Sequence, residues 1–255
     1  MKKFNFIFDN SKKANNLKKI ILKKYKNYPI KNSNVIVVGG GDGFMLKTIK
    51  KFYKYNKPFY GINCGSIGFL LNKHVSKKIT ARINKAKTTV IYPLQVKAVS
   101  KGKKNSSFLA INELSLLRQS KQTSSLQLKV NKKILIKKLV GDGLLLSTPA
   151  GSTAYNLSVN GPILSLNSKK LAITPISPFR PRRWKGKIIS DKISINIRNL
   201  DPKKRPVAAV ADNIEIRNIA SVKASINKNI KFKLLFNSGE SLFKKIKSEQ
   251  KRKIN

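Results

Sequence analysis

The first ninety residues alternate between short apolar runs and amphipathic stretches. Phe4 to Phe8, Val35 to Val38 and Phe59 to Ile62 are rich in β-branched or aromatic residues, as buried strands are. Between the first two runs, Ser11 is a candidate N-cap for a basic amphipathic helix that extends to about Tyr28. These positions predict a strand–helix–strand start to the chain.

Two more helices are predicted in this part of the chain. One begins near Phe44, directly after a glycine-rich loop, and the other covers Ser76 to Ala86. Units in which a strand, a loop and a helix follow one another favour an α/β domain with a mostly parallel sheet. We therefore expect an N-terminal α/β domain over residues 1–95.

The period of the pattern changes after about Val90, where short alternating runs replace the longer amphipathic stretches. This change predicts a second, β-rich and largely antiparallel domain over residues 96–237, with Asn131-Lys132 as a hairpin candidate. A helix over about 238–255 is expected to pack back on the first domain. The predicted strands cover Val90 to Val99, Phe108 to Leu117, Leu126 to Val130, Ile134 to Val140, Leu144 to Ser147, Lys187 to Ile197, Ile214 to Arg217, Val222 to Ile226 and Lys231 to Phe236.

The charge is unusual, with 55 Lys and Arg against 10 Asp and Glu and a formal net charge of +45. Such a field is expected of a nucleic-acid binder, but a solvated cationic surface also explains it. The lysines are scattered over nearly every segment, and no zinc-finger, RRM or KH signature accompanies them. The pattern favours the solvated surface, with no membrane or specific nucleic-acid partner, and anionic substrates would be attracted to it.

Cysteine and histidine chemistry is nearly excluded, because Cys64 and His74 are the only residues of their kinds. A disulfide within the chain and a Cys/His metal site are both ruled out. The apolar run at the N-terminus is too short for a signal peptide, and no run approaches a membrane span. We expect a cytoplasmic protein.

Three of the ten carboxylates occupy loop settings: Asp42 in Gly-Gly-Gly-Asp-Gly, Glu113 after Asn112, and Asp142 between Gly141 and Gly143. Flanking glycines permit a positive φ and a close approach to a ligand, and loop N–H groups at a helix start form a phosphate cradle. An aspartate in such a cradle is a candidate general base or Mg²⁺ ligand. A tight turn with local hydrogen bonds explains Gly-Asp-Gly equally well.

This loop is neither of the two familiar phosphate-binding signatures. GxxxxGK[ST] is absent, which excludes a P-loop NTPase on pattern, and Phe44 stands where GxGxxG requires its last glycine. A third informative stretch, Thr148 to Ser158, is dense in hydroxyls and small residues and joins an apolar strand to a predicted helix. Helix capping explains Ser152 or Thr153 singly, whereas the whole run suits ribose and adenine recognition.

Four motifs in this order resemble the NAD kinase family. They are GGGDGF at 39–44, NCGSIGFL at 63–70, NEL at 112–114 and GDGLLLSTPAGSTAYNLSVNGPIL at 141–164. The resemblance implies an N-terminal domain like that of phosphofructokinase and diacylglycerol kinase, and a C-terminal β-rich NAD-binding domain. It also implies a homo-oligomer, either a dimer or a tetramer, with some NAD contacts made across subunits.

The resemblance further implies Mg²⁺-dependent transfer of a phosphoryl group from ATP to the 2′-hydroxyl of the adenosine ribose of NAD. Asp42 matches the aspartate regarded as the acceptor of the hydroxyl proton. Asn112 and Glu113 look like the pair that holds the nicotinamide-side ribose hydroxyls, and Phe69 resembles an adenine-contacting position. No protein metal site is implied. The other positions that match nucleotide-binding residues are Gly43, Lys47, Asp142, Ala150, Thr153, Ala154, Tyr155, Asn156 and Ser158.

The chain departs from the family's commonest pattern at two places. Phe179 follows Thr-Pro-Ile-Ser-Pro, where a histidine is frequent, and the form with phenylalanine resembles one bacterial subgroup. The usual Asp-Gly-Gln is here Asp212-Asn213, which leaves that glutamine's contact open. The nearby Arg180, Arg182 and Arg183 are candidates for phosphate contacts and equally for an interface or surface role.

Two competing functions remain. Lipid and sphingoid kinases share the Gly-Gly-Asp-Gly loop, but the Thr148 to Tyr155 run argues against them. Nucleic-acid binding depends on charge alone, and it would be favoured by salt-sensitive binding of random duplex DNA without kinase activity. ATP and inorganic polyphosphate both stay open as the phosphoryl donor.

Overall fold

The computed structural model describes residues 2–66, 68–239 and 245–246, which form two compact units. Unit 1 takes its residues from 1–91 and 231–255, and unit 2 covers 92–230. Both were expected from the change in period near residue 90. The chain returns to unit 1 at residue 231, earlier than the return at about 238 that was expected.

Unit 1 is an α/β unit built on a five-stranded sheet. Its strands are β1 (Phe4–Phe8), β2 (Val35–Gly40), β3 (Phe59–Asn63), β4 (Lys87–Ile91) and β17 (Phe232–Phe236). The strand order is β1-β2-β3-β17-β4, and every neighbouring pair is parallel except β17 with β4. All six residues of β2 are buried, as expected for a central parallel strand.

Unit 1 also contains the helices α1 (Lys12–Leu22), α2 (Asp42–Phe52) and α3 (Ile79–Lys85). Side chains of α1 and α3, including Leu17 and Ile83, are buried in one cluster with alternate residues of β1, β2 and β3. Ser11 is the N-cap of α1, as predicted, because its hydroxyl accepts the Ala14 N–H at 3.3 Å.

The predicted end of α1 at Tyr28 was wrong, since the helix ends at Leu22. The segment after it turns back along β1, where the Tyr28 N–H bonds the Phe4 carbonyl at 2.9 Å. The Asn27 side chain also accepts the Phe6 N–H at 2.8 Å. Tertiary hydrogen bonds with β1 therefore replace the last helical turns. The helix predicted over Ser76 to Ala86 is also shorter than predicted, because α3 covers Ile79–Lys85.

The predicted assignment of Lys231 to Phe236 to the second domain was also wrong. Strand β17 lies between β3 and β4 in the sheet of unit 1. Its alternation resembles that of the strands in unit 2, and only the pairing distinguishes it. The helix predicted over 238–255 lies mostly outside the described residues, and the two described there, Lys245 and Ile246, are helical.

Unit 2 is a sandwich of two antiparallel six-stranded sheets, ordered β12-β11-β10-β7-β14-β15 and β6-β5-β16-β13-β8-β9. Buried residues from both sheets pack together in one apolar core. The strands are β5 (Leu94–Ser100), β6 (Asn105–Ala110), β7 (Glu113–Arg118), β8 (Ser124–Val130), β9 (Lys133–Gly141), β10 (Gly143–Ser147), β11 (Lys170–Ile176), β12 (Lys187–Ser190), β13 (Ile195–Asn199), β14 (Val207–Ala211), β15 (Ile214–Ile216) and β16 (Ile219–Ile226).

The β-rich prediction for this region is confirmed, with differences in detail. Asn131 and Lys132 both have positive φ and connect β8 to β9 as a hairpin. Two strands were not predicted: β11, which contains Pro175, and β14, whose alanine-rich Val-Ala-Ala-Val-Ala carries a weak strand signal. A three-residue 3₁₀ turn (Gly151–Thr153) and a four-residue helix α4 (Tyr155–Ser158) follow β10.

Among the described residues, no helix combines the length and apolar character that crossing a membrane would require.

Candidate active site

Asp42 is the first residue of α2, at the carboxyl end of the central strand β2. Gly41 is the N-cap, with extended backbone. The Asp42 carboxylate accepts two consecutive backbone N–H groups, from Phe69 at 2.8 Å and from Leu70 at 3.0 Å. These bonds come from a distant turn, so Asp42 does not cap its own helix. Each carboxylate oxygen retains a lone pair for a further donor.

Opposing effects act on the Asp42 carboxyl. Burial raises its pKa above the ordinary value, whereas the N–H groups of Phe69 and Leu70 and the charge of Lys245 lower it. Burial is the largest of these effects, so the net shift is upward. A carboxylate with a raised pKa is a stronger proton acceptor than an ordinary aspartate.

The glycines around Asp42 differ in what surrounds them. A Cβ added at Gly39 would lie 2.6 Å from the Phe8 ring, so that glycine is required by packing within the unit. A Cβ at Gly41 or Gly43 would meet no atom within 4 Å. No glycine of this loop has a positive φ, so the predicted conformational reason was wrong, while the open space at Gly41 and Gly43 suits a ligand.

The other site residues predicted in unit 1 lie near this loop. Lys47 is exposed on α2, about one and a half turns after Asp42. Phe69 is half-buried, and its N–H is one of those that Asp42 accepts. The structure thus brings Asp42, Gly43 and the Phe69 turn together.

In unit 2, the predicted pair Asn112 and Glu113 lies at the start of β7. Three buried polar atoms here have no hydrogen-bond partner among the described residues: Asn112 Oδ1, Glu113 Oε2 and Thr153 Oγ1. The segment that leads to Thr153 packs on Asn112, because the Thr148 N–H bonds the Asn112 carbonyl at 2.9 Å and a Cβ at Gly151 would lie 2.2 Å from the same oxygen. Buried polar atoms without a protein partner are candidates for contacts with a polar ligand.

Glu113 is the most strongly perturbed acid of unit 2. Burial, reinforced by the nearby charge of Asp212, raises the pKa of Glu113 to about 8. At neutral pH its carboxyl is therefore mostly protonated, and it can donate a hydrogen bond as well as accept one.

Asp142 lies in a different setting, in the connection between β9 and β10. Its carboxylate forms an ion pair with Arg118 Nε at 2.5 Å, and both side chains are 37% exposed. The pair lies in a groove of about 600 Å³ that Lys121 and the exposed Tyr155 also line. A Cβ at Gly143 would be 2.0 Å from the Leu116 carbonyl, so this glycine is required by the sheet itself.

The stretch from 150 to 158 divides into buried and accessible positions. Ala150 and Asn156 are buried, and the Asn156 amide bonds Thr174 Oγ1 at 2.7 Å and the Pro162 carbonyl at 3.0 Å. Asn156 thus organises the loop from inside. Ser158 is exposed and Ala154 half-buried, so these two remain available to a ligand.

The single cysteine and histidine offer no alternative chemistry. Burial raises the pKa of the Cys64 thiol to about 11, and the charge of Asp9 acts in the same direction. The thiol therefore stays protonated at neutral pH. His74 is exposed, with Nδ1 3.2 Å from the Asn63 carbonyl oxygen.

The sequence of this chain is similar to those of known proteins. The sequence profile described as "ATP-NAD kinase C-terminal domain" matches residues 111–228. The NAD kinase of Zymomonas mobilis is 44% identical over 241 residues, which is 94% of this chain and 92% of that protein. The NAD kinase of Brucella suis is 40% identical over 245 residues, 96% of this chain and 95% of that protein.

The chain belongs to the NAD kinase family.

Solved structures show the same fold. A yeast NADH kinase complexed with NADH has a TM-score of 0.81 at 18% identity and covers 100% of this chain and 89% of its own. An NAD kinase from Archaeoglobus fulgidus in complex with ATP has a TM-score of 0.74 at 21% identity, with 96% and 99% covered. The family and the fold that the motifs predicted are thereby confirmed, and the chain is a kinase.

Two residues that organise the candidate site in unit 2 were not predicted from the sequence. Asp212 accepts the N–H groups of Ile111 and Asn112, both at 2.8 Å, and so fixes the backbone just before Glu113. Arg118 neutralises Asp142. In the sequence, Asp212 stood out only as part of a motif that departs from the family's commonest pattern. No local signal distinguishes Arg118 from the other basic residues.

Proposed function

We propose that this NAD kinase transfers a phosphoryl group from ATP to the 2′-hydroxyl of the adenosine ribose of NAD, producing NADP and ADP. The observation that carries the proposal is the Asp42 carboxylate, which is fixed by two backbone N–H groups beside glycines that face open space. A positioned acceptor next to free helix-start N–H groups is what phosphoryl transfer to a hydroxyl requires.

Asp42 is the proton acceptor in this mechanism. As the ribose oxygen forms its bond to the γ-phosphorus, the bond between that phosphorus and the leaving ADP oxygen breaks, and the hydroxyl proton passes to Asp42. The N–H groups on Phe69 and Leu70 hold the carboxylate still, so no reorganisation is needed during transfer. Burial raises its pKa and so strengthens it as a base.

The loop that ends at Gly43 is proposed to hold the donor phosphates. The first N–H groups of α2 have no partner within the helix, and the positive end of the helix dipole favours anions there. A side chain at Gly41 or Gly43 would occupy the space the phosphates need. Lys47, exposed on the same helix, adds a positive charge.

The divalent cation enters with the nucleotide in this proposal. The described residues contain no cluster of three or more His, Cys, Asp or Glu side chains that would cage a metal ion. Mg²⁺ is commonly held by nucleotide phosphates with few protein ligands. We therefore treat MgATP as the donor substrate.

NAD recognition is assigned to unit 2. The orphaned atoms of Asn112, Glu113 and Thr153 suit ribose hydroxyls, because a hydroxyl both donates and accepts. A protonated Glu113 completes this set by donating. Tyr155 and Asp142, which line the groove, and Ala154 and Ser158 nearby are proposed as further contacts. Ala150 and Asn156 support them from within.

Two properties predicted from the sequence belong to the same proposal. We propose a homo-oligomer, dimer or tetramer, in the cytoplasm. Light scattering of the purified protein across a concentration range tests the first, and a monomer at working concentration contradicts it. Fractionation of the native host, with detection by antibody, tests the second.

The proposal is tested by incubating purified protein with NAD, ATP and Mg²⁺ and detecting NADP with an NADP-specific dehydrogenase. Wild type should produce NADP, and folded Asp42→Asn should lose nearly all activity while still binding NAD by calorimetry. No NADP with ATP or polyphosphate would overturn the proposal. Diacylglycerol and sphingosine, assayed in parallel, test the competing lipid kinase activity.

A further inference from the structure

The turn that holds Asp42 is itself held from its other side by Lys245. The Lys245 ammonium donates to the carbonyl oxygen of Phe69 at 3.1 Å and to that of Leu71. It also lies 5.2 Å from the centre of the Phe236 ring. One side chain thus bonds two carbonyls of a single turn.

Asp42 and Lys245 bond complementary backbone groups of the same turn, and they share the peptide between Phe69 and Leu70. Asp42 accepts the N–H groups of Phe69 and Leu70, whereas Lys245 donates to the carbonyls of Phe69 and Leu71. Leu70 and Leu71 are both buried, so this turn cannot shift without disturbing the core. The position of the Asp42 carboxylate therefore depends on a turn with a hydrogen-bonding restraint on each side.

The charge of Lys245 has a second effect at this place. It opposes the burial of Asp42 by favouring the ionised carboxylate. Only an ionised carboxylate can accept a proton, so a buried base needs a nearby cation to remain usable. The bonds of Lys245 to two carbonyls keep that cation near the turn.

We propose that Lys245 is a positioning residue for Asp42: it fixes the 69–71 turn that orients the carboxylate and supplies the compensating positive charge. The proposal depends on the assignment of Asp42 as proton acceptor. Lys245 is not proposed to touch either substrate. Its loss should slow the transfer step and leave substrate binding nearly intact.

The test compares Lys245→Met, Lys245→Arg and a matched control, Lys228→Met, in the full chain. Lys228 also lies over an aromatic ring, 5.7 Å from the centre of Tyr92, and also engages a polar partner, Asp191 at 2.5 Å. It differs in belonging to unit 2 and in bonding none of the proposed site residues.

Lys245→Met should lower kcat about 10-fold or more, since small misplacements of a reacting group cost rate steeply. The KM values for NAD and ATP should change little, and Lys245→Arg should restore most of kcat because it keeps the charge and the donors. Lys228→Met should retain wild-type kcat. Unchanged kcat in Lys245→Met, or an equal loss in Lys245→Arg, would overturn the proposal.

A double-mutant cycle distinguishes the positioning role proposed for Lys245 from the proton-acceptor role proposed for Asp42. If Lys245 acts through Asp42, Lys245→Met should slow Asp42→Asn no further, because the carboxylate it positions is gone. An additive loss contradicts the proposal. Full activity in Asp42→Asn would instead refute Asp42 as the base, whereas an inactive Asp42→Asn beside a fully active Lys245→Met would refute only Lys245.

Discussion

The tripeptide Gly-Asp-Gly occurs twice, at 41–43 in unit 1 and at 141–143 in unit 2. The two occurrences differ in what surrounds their glycines and in what their aspartates bond. In unit 1 the glycines face open space, and the aspartate is fixed by N–H groups of a distant turn. In unit 2 the glycines are required by neighbouring backbone, and the aspartate is neutralised by Arg118 in an open groove. Identical local sequence therefore carries little information about role.

The two motifs show how a glycine that the fold itself requires differs from one that it does not. A glycine that cannot accept a Cβ because protein backbone lies within 3 Å, as at Gly141 and Gly143, is explained by the fold. A glycine with normal φ and empty surroundings, as at Gly41 and Gly43, has no such explanation within its unit. The space around it is then a candidate ligand site.

The largest expected difference between the two motifs is in catalysis. Asp42→Asn should lower kcat by about 10²–10⁴-fold, the usual contribution of a general base, whereas Asp142→Asn should keep kcat and raise the KM for NAD. Steady-state kinetics of both variants measure this. We expect Asp42→Asn to fold, because the asparagine side chain retains one acceptor for the N–H groups. Circular dichroism is the control for folding. Equal losses of kcat would remove the functional distinction between the motifs.

The second difference is in stability. Gly143→Ala places a Cβ 2.0 Å from the Leu116 carbonyl, and it should cost about 1–3 kcal/mol in the free energy of unfolding. Gly43→Ala, in the first turn of α2, should leave stability unchanged or raise it by up to about 1 kcal/mol. Its ATP turnover should fall, because the methyl group enters the proposed phosphate space. Urea denaturation and the NADP assay measure both effects, and a destabilised Gly43→Ala would contradict the contrast.

A third experiment extends the comparison to the buried acid of unit 2. Because the pKa of Glu113 is about 8 when folded, the unfolded chain loses this proton at lower pH than the folded chain does. The contribution of Glu113 to the free energy of unfolding is fully present below the pKa that Glu113 has in the unfolded chain, and it is lost as the pH rises towards 8. Glu113→Gln should flatten that decline, as thermal melts between pH 5 and 8, about the range between the two pKa values, would show. Parallel curves for the two proteins would exclude a raised pKa.

The smallest expected effect is that of the ion pair beside the second motif. Arg118 and Asp142 are both 37% exposed, so their coupling energy should be no more than about 1 kcal/mol and should fall with salt. The double-mutant cycle Arg118→Met and Asp142→Asn measures it by denaturation. Arg217 and Glu215, 3.3 Å apart and more exposed, provide the control pair, for which a smaller coupling is expected. A larger coupling in the control would show that exposure does not determine the difference.

Much of the fold followed from local pattern. The runs that became β1, β2 and β3 are apolar enough to form strands in any α/β context, and the Asn131-Lys132 hairpin was predictable from turn chemistry. The family followed from the resemblance of four motifs, which lie mostly at loops. Among the site residues, the open space at Gly43 and the orphaned atoms of Asn112, Glu113 and Thr153 support assignments that were made from those motifs.

What the pattern could not provide depended on partners distant in sequence. The place of β17 in the sheet of unit 1 and the early end of α1 are decided by pairing with β3, β4 and β1, which no local window contains. The same holds for Asp212, which fixes a backbone about 100 residues away, and for Lys245, which bonds carbonyls more than 170 residues before it.

Composition and periodicity were thus sufficient for the α/β and β-rich organisation, and the resemblance of four motifs was sufficient for the kinase family, whereas the role of Asp42 stays a prediction. Only the tertiary structure distinguished the two Gly-Asp-Gly motifs, showed that Asn156 bonds Thr174 and Pro162 inside its loop, and revealed the contacts of Lys245 and Asp212. The physical reason is that strand and helix preferences arise from neighbours in sequence. Burial, hydrogen-bond partners and the resulting pKa shifts arise instead from neighbours in space.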